Sequence, residues 1–160
     1  MGEGIIQGEI DVVGIDVNAR KIYVCEVAVH LITGLQYVKD KKPNNVDKLF
    51  DKFCKDIDYA NKFFDGYRKE FMFWSPIVKN QGEQAKYNQL NDILEVKKKI
   101  KDKYNLEIVA VINEKFINCL DELRNFAKTE TKDIKSSIIR LYQIEEYTKA
   151  HIEKLNKLKE

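Results

Sequence analysis

At 160 residues, 44% of them hydrophobic and 34% charged, the chain has the make-up of one folded domain and not of a disordered tail. The net charge of +2 does not by itself mark a nucleic-acid binder, so any basic surface has to come from local clustering of lysines. No apolar run reaches the roughly 18 residues of a membrane span, and the first residues lack a signal-peptide pattern, so a soluble, cytoplasmic protein is expected. Cys25, Cys54 and Cys119 are widely spaced, and the two histidines do not complete a zinc motif.

Residues 5–15 and 21–31 read as two apolar strands joined by a short turn at Asp16 to Arg20, and so short a connection predicts an antiparallel pair. Thr33-Gly34 breaks the pattern. Leu35 to Val38 adds a strand end, Lys39 to Pro43 a polar loop, and Asn44-Asn45 a helix cap. From Val46, residues Leu49, Phe50, Phe53, Ile57, Ala60, Phe63 and Phe64 recur every three or four positions, which predicts an amphipathic helix ended by Gly66.

Residues 71–78 form the next expected strand, with Pro76 stopping its pairing locally. A helix follows over 83–104, capped by Asn105, and then a buried strand over 106–112. A short helix over 116–126 and a long one over about 133–158 complete the chain. The expected architecture is a single α/β domain over 1–160, a mixed sheet flanked by helices on both faces in the order β-β-α-β-α-β-α-α. The length of the last helix makes a homodimer a candidate assembly.

The two opening strands carry acids where a strand interior is usually oily. Glu9 and Asp11 share a face by the period-two rule, and Glu26 lies in the middle of the second strand. Carboxylates gathered at one sheet face repel unless a cation or a donor satisfies them, as in a divalent-metal site.

Glu9-Ile10-Asp11-Val12-Val13 before the turn and Ile22-Tyr23-Val24-Cys25-Glu26-Val27 after it resemble the hairpin strands of the PD-(D/E)xK, or restriction endonuclease-like, nuclease superfamily. The resemblance covers roughly residues 5–112 and implies a restriction endonuclease-like fold for the expected mixed sheet. It further implies that Asp11 and Glu26 hold Mg²⁺ or Mn²⁺, with the Val27 carbonyl as a further ligand and Glu9 beside a second ion or a metal-bound water. The implied activity is metal-dependent endonucleolytic hydrolysis of phosphodiester bonds in DNA. The family's lysine, two residues past the second acid, is replaced here by Ala28.

Two readings follow from that departure. In one, the amine has migrated to the next helix, where Lys48 and Lys52 are the catalytic candidates because they lie one turn apart. In the other, catalysis is lost and the fold remains as an inactive nucleic-acid-binding or assembly module. His30, four residues past Glu26, is a candidate base or ligand. Lys39, Lys41, Lys42 and Lys48 are a candidate phosphate-binding edge, and Gln36-Tyr37 a candidate nucleotide contact weighed against a core role.

Overall fold

The computed structural model describes residues 10–82, 85 and 87–157; Glu9 and the rest of residues 1–9 lie outside the described residues. The chain divides into two compact units at the Asn113/Glu114 boundary.

In the first unit, β1 (Val12–Asp16) and β2 (Lys21–Val27) form the expected antiparallel pair. Asp16 turns the chain by accepting the Ala19 N–H at 2.8 Å, and Arg20 takes a left-handed conformation. Strand β1 is shorter than the apolar text suggested and starts at Val12, so Asp11 stands just ahead of the ladder. Two very short strands follow, β3 (Val38–Lys39) and β4 (Lys42–Pro43). Asp40 and Lys41 both have positive φ between them, as a two-residue hairpin turn requires. This ribbon stands where a polar loop was expected.

Helix α1 (Asn45–Phe63) follows the predicted stripe and buries Leu49, Phe53, Ile57 and Ala60. Strand β5 (Arg68–Ser75) begins three residues earlier than its apolar run, because it pairs in parallel with β2 from Lys21 opposite Arg68. A Lys21–Glu70 ion pair of 2.6 Å ties that polar end. The strand ends before Pro76, which has no N–H to continue a ladder. Helix α2 (Gln89–Tyr104) starts later than expected because Asn88 caps it, accepting N–H bonds from Leu90 and Asn91. Asn105, in the left-handed region, ends it as predicted. Strand β6 (Ile108–Ile112) then pairs in parallel with β5.

The result is a four-stranded mixed sheet in the order β1-β2-β5-β6. Ile22, Val24 and Glu26 on β2, with Phe71 opposite Val24 and Phe73 opposite Glu26 on β5, form one face. Helices α1 and α2 both pack on that same face, not one on each face as expected, because their apolar stripes share one core that includes Phe53, Ile57, Ile93, Val96 and Ile100.

The second unit is a helical pair, α3 (Glu114–Thr129) and α4 (Ser137–Lys157). Gln143 fixes its turn, donating to the carbonyls of Glu130 at 2.6 Å and Lys132 at 2.9 Å. Within these two helices Ala127 and Gln143 are the buried residues, while Ile138, Leu141, Ile144 and Ile152 are exposed. Among the described residues no helix is long and apolar enough to cross a membrane.

Candidate active site

The site is built on the end of β2. Alternation along this strand puts Ile22, Val24 and Glu26 on the face under the helices, and Ala28, just past its end, is buried with them. Three of the four are apolar core residues, and Glu26 is a carboxylate only 1% exposed. A buried carboxylate needs donors. Lys52 supplies one from α1: its ammonium donates to Glu26 Oε2 and lies 3.7 Å from Asp11 Oδ2. Asp11 Oδ2 also accepts the Val27 N–H at 2.8 Å, which fixes the Asp11 carboxylate against the strand that carries Glu26.

One turn beyond Lys52, Asp56 completes the cluster. It is as buried as Glu26, and neither Glu26 Oε1 nor Asp56 Oδ2 has a hydrogen-bond partner among the described polar groups when both carboxyls are taken as ionised. Two facing carboxylates in a dry site cannot both stay charged without a cation between them. Burial, followed by the charge of Glu26 and the hydrogen bond to it, pushes the Asp56 carboxyl up to about 8. Asp56 is thus neutral near pH 7 and donates its proton to Glu26. Burial also raises Glu26, against the downward pull of Lys52 and of the Asp56 hydrogen bond. For Lys52, burial acts to lower the ammonium, yet Glu26, Tyr37 and Asp11 together outweigh it and hold the group above its ordinary value.

None of the protein families, curated proteins or solved structures compared with the chain matches it.

Of the sequence candidates, Asp11, Glu26 and Lys52 come together. Val27 joins through its amide. Lys48 does not join: it lies exposed one turn before Lys52 and makes no ion pair among the described residues. His30 also stands apart, because β2 ends at Val27 and the chain turns away. Its exposed ring meets Tyr37 edge-on at 6.0 Å, and its carbonyl accepts the Gly34 N–H. Tyr37 packs against the core, and burial together with the nearby acids raises its hydroxyl, while Lys52 acts to lower it. Glu9 lies outside the described residues.

Asp56 was the residue that sequence reasoning missed. The signal was present, since an aspartate between Phe53, Ile57 and Ala60 breaks the buried stripe of α1 at the phase of Lys52. Ala28, where the resembled family has lysine, is buried in the core and donates its N–H to the Trp74 carbonyl.

Among the described residues no group of three or more His, Cys, Asp or Glu is arranged to hold a metal ion. The donor set that is present is two carboxylates, Asp11 and Glu26, with the Val27 backbone beside them. Mg²⁺ is commonly held by one or two carboxylates, its other positions being filled by water and phosphate oxygens. Glu26 Oε2 and Asp11 Oδ2, both turned toward the Lys52 ammonium, are the oxygens on which such an ion would draw. The residues fit a hard divalent cation on those terms.

Proposed function

We propose that the protein is a metal-dependent phosphodiesterase acting on DNA, with a restriction endonuclease-like fold and a lysine displaced from its family position. The observation that carries this reading is the Lys52 ammonium, brought by α1 within reach of both Asp11 and Glu26. An amine needed beside the acids, and absent at position 28, is supplied from 24 residues further along the chain.

Asp11 and Glu26 would hold Mg²⁺ or Mn²⁺. Such a cation, when bound, offsets phosphate charge and acidifies a bound water. The protein's own groups do the rest. Lys52 orients the attacking water by hydrogen bonding and balances the negative charge that grows on the phosphate. Asp56 holds the inner oxygen of Glu26, so that the other faces Lys52 and Asp11. The exposed Lys39, Lys41 and Lys42 of the β3–β4 ribbon, and Lys48 on the first turns of α1, offer phosphate contacts on the same unit.

The test is cleavage of plasmid and oligonucleotide DNA with Mg²⁺ or Mn²⁺. Asp11→Ala, Glu26→Gln and Lys52→Ala should each lower the rate at least about a hundredfold, while Lys48→Ala should change it little. Unchanged activity in Asp11→Ala and Glu26→Gln would sink the proposal.

One feature favours the second reading, an inactive binding or assembly module. The ammonium already sits between the acids and can serve as a built-in counter-ion. Calorimetry decides between the two: no Mg²⁺ or Mn²⁺ binding, combined with DNA affinity that falls steeply with salt, selects the binding module.

A further inference from the structure

Six residues beyond Glu26 the chain presents an unusual surface. Val29, Leu31 and Ile32 are all exposed, Ile32 by 88%. The turn is nevertheless clamped. Gly34 donates to the His30 carbonyl at 3.0 Å, the Lys79 ammonium to the Ile32 carbonyl at 2.9 Å, and the Gln89 amide to the Thr33 carbonyl at 2.9 Å. Gly34 sits at a positive φ, where an added Cβ would lie 2.5 Å from the Gln89 oxygen, so the turn leaves no room for a side chain there.

Ile32 stands on the rim of a cleft of about 390 Å³, whose lining also includes Gln36, Lys79, Gln81, Tyr87 and Asp92. This volume is in the range of small-ligand sites. Tyr87 is 47% exposed as a residue. The Asn45 and Gln89 amides are spent on the walls: Asn45 takes the Tyr37 N–H and donates to Leu35 and Asp92, and Gln89 takes the Lys79 N–H. Gln36 and Gln81 add amide donors and acceptors, and Asp92 adds an acceptor. A carboxylate in the lining repels a phosphate, and so many polar groups suit neither a lipid tail nor an apolar peptide. A flat, uncharged ring with N–H donors on its edge fits.

We infer that this cleft seats one unpaired nucleobase of a strand whose backbone lies at the Asp11–Glu26 pair, an inference that rests on the nucleic-acid reading proposed above. Ile32 and Leu31 fill the space the base leaves, as apolar wedges do between base steps. Tyr87 supplies the ring on which the base stacks. Gln36, Gln81 and Asp92 meet its edge, and Lys79 on the rim meets the adjoining phosphate. The reach is compatible: six residues at about 3.3 Å each span at most about 20 Å, the length of roughly six phosphates at 3.4 Å spacing.

The experiment compares the intact protein's affinity for a fully paired duplex and for the same duplex with one bulged adenine, by fluorescence anisotropy without divalent metal and over a salt series. The expected result is about tenfold tighter binding of the bulged duplex. Tyr87→Ala and the double variant Leu31→Ser/Ile32→Ser should remove that preference, while retaining the salt slope and the thermal melt of the parent. Equal affinity for both duplexes, with metal-dependent cleavage intact, overturns the base site and leaves the nuclease reading standing. A preference that survives in both variants also overturns it. Binding to neither duplex overturns both proposals, and acquired binding to phosphatidylcholine vesicles by the parent alone would assign the tip to a membrane instead.

Discussion

Glu26 occupies a position that strand alternation assigns to a core hydrophobe, and everything around it follows from keeping that charge supplied with donors. Its Lys52 partner is half of a buried pair, so Lys52→Met should destabilise by about 3–5 kcal/mol by leaving the carboxylate uncompensated. Adding Glu26→Gln to Lys52→Met should recover much of the loss, measured by urea denaturation; a double variant no more stable than the single one would contradict the pairing. Asp56 gives a pH dependence of definite sign. Its carboxyl has a folded value of about 8 against the ordinary 3.8, so between those values the folded state binds a proton that the unfolded state has released. Its contribution is therefore full below about pH 4 and is lost as pH rises to 8, a fall of several kcal/mol. Asp56→Asn, which keeps a neutral donor, should flatten that part of the stability curve. Parallel curves for the two proteins between pH 4 and 8 would refute the assignment.

At the scale of elements, single polar side chains hold the loops onto the sheet and helices. Asn45 joins the 35–37 segment to α2 through three hydrogen bonds, and Asn45→Ala should cost about 2–3 kcal/mol because buried partners are left unsatisfied. Asn113 makes a reciprocal pair with the Val78 backbone, 2.8 Å and 2.9 Å, that closes the end of the sheet. Gly34→Ala combines a left-handed backbone with a clash at Gln89 and should lower stability by about 2 kcal/mol. It should also loosen the 29–33 turn, visible as faster amide exchange there; a variant as stable as the parent would show that the turn is not clamped as described.

Across the whole molecule the two units differ in how much they bury. Residues Ile22, Val24, Phe71 and Phe73 lie in a continuous core, whereas in α3 and α4 the buried residues are Ala127 and Gln143. Local stability follows buried apolar contact. Native-state hydrogen exchange should therefore find the β2 and β5 amides opening only with global unfolding, and the amides of α3 and α4 at clearly lower free energy. Equal protection in both units would mean that the helical pair draws stability from contacts its own residues do not reveal.

How much could be read beforehand differs by interaction range. The α1 stripe, the β1–β2 turn and the Asn105 cap were legible because periodicity and capping are local. Element ends were less so: Arg68 joined β5 only because β2 was there to pair with it, and Glu26 and His30 parted faces because the strand stopped at Val27. Asp11, Glu26 and a lysine from α1 were readable as a set, but choosing Lys52 over Lys48 needed the rotation of the helix on the sheet, which no local rule fixes. The sequence by itself determined the main helices and strands, though not the β3–β4 ribbon, and the acids in the hairpin, since side-chain period and turn chemistry act over a few residues. Only the tertiary structure decided that Lys52 and Asp56 meet Glu26, because burial, charge pairing and a shared proton depend on what packs across the sheet, dozens of residues away along the chain.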